Sequence, residues 1–129
     1  MIQDEILKEI DKIILEKPLI IVEGKKDRIA LQSLGLRNII TLEKNALFEI
    51  VEYVVDSKEN CVILTDLDSE GKKLYSFSYK NLQYFGVKVN NRLRLLLFKS
   101  PVRQIEALSN YLDHIRKLDK GGSNGFELR

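Results

Sequence analysis

The sequence predicts a single α/β domain, a central and mostly parallel four-stranded sheet with helices on both faces. Three observations predict it. Leu19-Ile20-Ile21-Val22 and Cys61-Val62-Ile63-Leu64 are short continuous apolar runs, the mark of strands buried on both sides. Between and around these runs, apolar residues recur at helical spacing. The joints are short, and strand–helix alternation of this kind belongs to parallel strands joined by helical crossovers.

Each element follows in order. Ile6, Ile10, Ile13 and Ile14 stand at helical spacing among charged residues, so the first sixteen residues read as an amphipathic helix that Pro18 ends. Leu19–Val22 is the first strand. Lys25–Leu34 returns to helical spacing through Ile29, Ala30, Ser33 and Leu34, and Gly35 supplies a stop. Asn38–Leu42 is a second strand centred on Ile39 and Ile40, and Leu47, Ile50, Val51, Val54 and Val55 mark a helix. Cys61–Leu64 is the third strand, Glu70–Phe85 a helix ending at Gly86, and Val87–Val89 a short fourth strand. Arg92–Phe98 fits either an alternating strand or a helix that Asn90 or Asn91 could cap, and we read it as a helix. After Pro101, Ile105, Leu108, Leu112 and Ile115 give a last amphipathic helix. The organisation expected is an N-terminal helix over 1–17, the sheet domain over 18–98, a C-terminal helix over 99–118 and a flexible Gly-rich tail over 119–129.

With 129 residues, 44% hydrophobic and 31% charged, the composition is that of one ordinary globular domain. No apolar run approaches the roughly 20 residues of a membrane span. Met1–Asp11 carries acids where a secretory signal carries bases. The one cysteine, Cys61, cannot form an internal disulfide, so a reducing cytoplasm is expected. Net charge is +2, from 21 basic and 19 acidic residues, but the charges are unevenly placed. Ile2–Glu16 holds five acids, whereas Arg92–Arg103 holds Arg92, Arg94, Lys99 and Arg103 with no acid. Lys25, Lys26 and Arg28 form another basic cluster, and Lys72 and Lys73 a third. Such clusters suit phosphate-rich partners and equally suit solvated faces.

The chemistry-bearing residues lie where an open parallel sheet binds ligands, outside the carboxyl ends of its strands. The first strand runs into Glu23-Gly24 and the third into Asp66-Leu67-Asp68-Ser69-Glu70-Gly71, so Glu23, Asp66 and Asp68 are expected to converge. Two carboxylates about 4 Å apart repel by roughly 4 kcal/mol at an effective dielectric of 20. Either one of them holds a proton or a hard cation sits among them. Oxygen-only ligands suit Mg²⁺, with Mn²⁺ the other candidate, and Lys25, Lys26, Arg28 and Lys72 would then contact phosphate. Gly24 and Gly71 allow a sharp turn or a close backbone approach. The plainer reading makes these acids helix caps, which suits Asp68 and Glu70 but leaves Glu23 and Asp66 unexplained. A calcium loop starting at Asp66 fails, because its bidentate position falls on Phe77. A haloacid-dehalogenase arrangement and a receiver domain remain minor alternatives.

Leu19–Asp27 and Val62–Gly71 together resemble a Toprim domain, the module of topoisomerases, bacterial primases, OLD-family nucleases and small maturation ribonucleases. The Gly-Lys-x-Asp continuation at Gly24–Asp27 is similar to the ribonuclease that trims 5S ribosomal RNA, and the whole chain resembles small stand-alone archaeal Toprim proteins. The resemblance covers roughly residues 18–98 and implies a Rossmann-like Toprim fold. It implies Glu23 as acid/base or metal-ligand glutamate, Asp66 and Asp68 as Mg²⁺ ligands and catalytic residues, and Glu70 as a further metal-ligating acid. The implied chemistry is metal-assisted phosphodiester cleavage or phosphoryl transfer on RNA or DNA. The alternative is a non-catalytic nucleic-acid-binding or adaptor module of a repair, replication or RNA-processing complex. A protein partner or a second copy could complete either. Topoisomerases need a separate tyrosine domain and primases a zinc module, so strand passage and primer synthesis are not expected. Tyr53, Tyr75, Tyr79, Tyr84 and Tyr111 are read as packing residues, Cys61 as core, and His114 as a surface or capping residue.

Overall fold

In the computed structural model, which describes residues 1–43 and 45–114, a small parallel sheet lies between two helical layers. The elements run α1 (Ile2–Glu16), β1 (Leu19–Val22), α2 (Lys25–Ser33), β2 (Ile39–Thr41), α3 (Leu47–Ser57), β3 (Cys61–Ile63), α4 (Ser69–Tyr84) and α5 (Arg92–Phe98). A 3-10 turn over Ile105–Ala107 leads into helical residues 108–114. The expected tail and the end of the expected last helix lie outside the described residues.

The strand order is β2-β1-β3, all parallel. Central β1 pairs Ile20 with Ile39 and with Val62, which leaves it covered on both edges and both faces and explains why all four of its residues are apolar and buried. Alternation along the strands then divides the interior. Ile20, Val22, Val62 and Leu64 face a core built with α1, α2 and α5, including Ile6, Ile10, Leu31, Leu93 and Leu97. Leu19, Ile21, Cys61 and Ile63 face Ile50, Val51 and Val54 of α3 and Leu82 of α4.

Among the described residues the sheet has three strands, not the four expected. Val87–Val89 touches it at one residue only, where the Cys61 N–H donates to Lys88 O (3.0 Å), the Asn90 N–H donates to Cys61 O (2.9 Å) and Val89 bridges Cys61. Gly86, at φ +82°, turns the chain into this segment and α5 begins at Arg92, so too little extended chain remains for a ladder. Arg92–Phe98 is helical, as read from its pattern. Among the described residues no helix is long and apolar enough to cross a membrane.

Candidate functional site

The carboxyl ends of β1 and β3 are stitched together by side chains that the sequence singled out. Glu23, directly after β1, accepts a hydrogen bond on Oε2 from the Asp66 N–H at 2.6 Å. The β3–α4 loop is held in turn by the segment before the 3-10 turn. The Leu67 N–H donates to Arg103 O (2.7 Å) and the Ile105 N–H donates to Asp66 Oδ1 (2.8 Å). Leu67 is buried in the first core, which turns its neighbours Asp66 and Asp68 away from that core. The Asp-x-Asp spacing thus follows from an apolar anchor between two solvent-side acids.

Asp68 caps α4, accepting from the Gly71 N–H at 2.8 Å, and exposed Glu70 sits in the first turn, where the helix dipole favours an acid. Asp27 does the same service for α2, accepting from the Gly24 N–H at 3.1 Å. Gly71 is buried against the loop itself, since a Cβ there would stand 1.9 Å from Asp66 O. The Thr65 hydroxyl donates to Gly71 O at 2.7 Å, closing the loop on the start of α4. A Cβ on Gly24 would meet Glu43 Oε2 at 3.2 Å. Both glycines permit close approach within the protein, and neither has a positive φ.

A crevice of about 500 Å³ opens here. Glu23, Asp27, Glu43, Asp66 and Glu106 line it, together with Lys25 and Lys26. Partial burial pushes the Glu23 carboxyl above its ordinary value, and the charges of Asp66, Asp68 and Asp27 push the same way against the pull of the Asp66 amide. Asp27 is raised by burial and by Asp66 and Glu106, and Asp66 by burial and by Asp68 and Glu106. The carboxylates therefore destabilise one another's charged forms. Among the described residues, however, no three His, Cys, Asp or Glu side chains are grouped so as to hold a metal ion.

The four basic candidates are not brought to one place. Lys25 and Lys26 border the acidic crevice. Arg28 lines a groove with Ile39, Thr41 and Tyr53, whereas Lys72 lies over the Phe98 ring (5.6 Å) in a pocket with Tyr75 and Arg94. Lys72, in the first turn of α4, stands on the side of the helix that faces Phe98 and Arg94 of α5.

Sequence reasoning missed Asp27, Glu43 and Glu106 at the crevice, and Arg94 beneath it. Arg94 is only 3% exposed. Its guanidinium donates to Thr65 O (2.5 Å), Thr65 Oγ1 (3.2 Å) and Asp66 O (3.1 Å) and lies over the rings of Tyr75 (4.4 Å) and Phe98 (5.5 Å). Burial lowers its pKa, and Tyr75, Glu23, Asp66 and Asp68 oppose that shift. The available signal was a basic residue one position after Leu93 and three before Leu97, on the buried side of α5. Tyr75 and Tyr79 stack at 5.5 Å against the second core, but Tyr53 and Tyr84 are exposed and do not pack as expected. Cys61 is core, and burial pushes its thiol up to about 12.

No family model matches the chain. A UPF0292 protein of Methanocaldococcus jannaschii is 32% identical over 84% of this chain and 88% of its own length. Another from Pyrococcus abyssi is 37% identical over 78% of this chain and 79% of its own length. A solved structure of a protein from Aquifex aeolicus superposes with a TM-score of 0.71 at 30% identity, covering 80% of this chain and 94% of that one. These findings overturn the Toprim assignment, because the relatives carry the UPF0292 name and no Toprim model matches. The letters behind that resemblance have local causes: Asp27 and Asp68 cap helices, and Gly71 makes room for the Asp66 peptide. At this identity and coverage the archaeal relatives assign the chain, which belongs to the UPF0292 family.

Proposed function

We propose that the acidic crevice binds a divalent cation, Mg²⁺ or Mn²⁺, and that the protein carries out phosphodiester cleavage or phosphoryl transfer on nucleic acid. The observation that carries this reading is the convergence of Glu23, Asp27 and Asp66 in one partly buried crevice bordered by Lys25 and Lys26. Carboxylates that raise one another's pKa gain most from a nearby cation. Glu23 and Asp66 would hold it, with Asp68 alongside. Two carboxylates completed by waters and substrate oxygens are a donor set that Mg²⁺ takes, which needs no third protein ligand. Bound there, the ion would polarise a phosphoryl oxygen and offset developing charge. Lys25 and Lys26 would hold flanking phosphates by charge.

A second reading is a non-catalytic nucleic-acid-binding or adaptor module. One observation favours it, since Glu23, Asp27, Asp66 and Asp68 each accept a backbone N–H and so have structural work already. Calorimetric titration of Mg²⁺ into the wild type and into Glu23→Gln/Asp66→Asn, followed by cleavage assays on RNA and DNA with Mg²⁺ or Mn²⁺, separates the two. Cation binding and cleavage that both vanish in the double variant support the enzyme. Nucleic-acid binding that survives loss of Glu23, Asp66, Asp68 and Glu70, with no cleavage by the wild type, establishes the adaptor.

A further inference from the structure

The second helical layer leaves apolar surface uncovered. Between α3 and α4 runs a groove of about 280 Å³, walled by Phe48, Val51 and Val55 on one side and Phe77, Asn81 and Phe85 on the other. Its aromatic rim faces outward: Phe48 is 62%, Phe77 42% and Phe85 56% exposed. Tyr84, 82% exposed, packs edge-to-face on Phe85 at 5.0 Å between ring centroids. Four large aromatic side chains in one patch are more than scattered surface apolars, and clusters of this kind mark interaction sites.

The charges around the groove indicate what covers it. On the α3 side the groove is also lined by Glu52 and Asp56, both exposed. On α4 the corresponding outer positions, at helical spacing around Phe77, are Lys73 and Lys80, both exposed. One edge of the patch is acidic, the other basic, and the floor between them is apolar. Such a patch is complementary to itself. A two-fold axis running along the groove lays α3 of each copy over α4 of the other, so each acidic edge meets a basic one while the aromatic rims interdigitate. A two-fold axis across the helices would set acid on acid and is disfavoured.

We propose that the α3–α4 face is the interface of a homodimer in which α3 of each copy packs on α4 of its partner. The groove shares no lining residue with the acidic crevice, so the dimer does not depend on the function proposed for that crevice. The test is sedimentation velocity on the full chain from low micromolar to hundreds of micromolar, at low and high salt, with circular dichroism to confirm folding. The wild type is expected to sediment at twice the mass of one chain. Phe77→Glu is expected to weaken self-association by more than about tenfold while keeping the helical spectrum. Because that variant also perturbs the surface, Glu52→Lys and Lys80→Glu provide a second arm. Each alone weakens the dimer at low salt, and the double reversal restores it. A wild type that stays monomeric throughout overturns the proposal, whether another protein or this chain's own residues 115–129 cover the groove. So does a dimer that Phe77→Glu and the charge reversals leave unchanged.

Discussion

The two faces of the sheet are finished differently. On the first, α1, α2, α5 and the segment from Val102 to Leu112 close over β1 and β3 in a core of seventeen buried apolar residues among those described, the strands' own included. On the second, α3 and α4 contribute to a core of eight among the described residues and leave aromatic rings in solvent. The acidic loops belong to the first face. Val22 and Leu64, which lie in that core, lead into Glu23 and Asp66, and Ile105, whose N–H holds Asp66, is buried in it as well. One layer therefore secures the crevice, and the other is left free to engage a neighbour.

The comparison can be broken most forcefully on the first face. Leu31→Ala, at a fully buried position, is expected to cost about 3 kcal/mol in a denaturant titration. Gly71→Ala attacks the loop this face supports. The added methyl clashes with the Asp66 peptide, and we expect a loss of about 2 kcal/mol together with weakened Mg²⁺ binding in calorimetry. On the second face, Ile50→Val is expected to cost only about 1 kcal/mol by the same denaturant measurement. A cost well above the roughly 1.5 kcal/mol that losing one buried methylene usually carries would mean that the second layer is packed as tightly as the first.

The smallest effect is electrostatic. Glu23, Asp27 and Asp66 have raised pKa values in the folded state, so the native protein binds more protons than the unfolded chain from the ordinary carboxylate range upward. Their contribution to stability is present below that range and is lost as pH rises through the folded pKa values. Without divalent cations, melting temperature should fall between mildly acidic and neutral pH. Glu23→Gln, which keeps an oxygen to accept the Asp66 N–H, should flatten that fall and raise stability at neutral pH. A steeper fall in the variant would show that repulsion does not govern the crevice.

What could be read beforehand divides along physical lines. Leu19–Val22 and Cys61–Leu64 were legible because strands buried on both sides must be apolar throughout. The convergence of Glu23 with Asp66 followed from parallel pairing of the strands they end. Val87–Val89 misled, since a three-residue apolar stretch looks alike as a strand and as a single bridge. Glu43, Glu106 and Arg94 were not legible, because how β2, the 3-10 turn and α5 are packed decides where their side chains arrive. Asp27 was hidden for a different reason: its cap on Gly24 is local, but its burial comes from packing. The exposure of Tyr53 and Tyr84 was equally hidden, as α3 and α4 carry apolar residues on more than the one face their core uses.

The hydrogen bonds from Ile105 to Asp66 and from Asp66 to Glu23 also govern when the crevice comes into being. They join positions 39 and 43 residues apart, so three remote stretches of chain must meet before the acids are brought together. Contacts of such long sequence separation are the slow ones to form in folding. During synthesis a nascent chain that has not yet released residues 103–105 lacks the amide and the carbonyl that hold Asp66 and Leu67, even with all three strands emerged. The loop that carries Asp66 and Leu67 therefore gains its last restraints only when residues 103–105 have joined the fold.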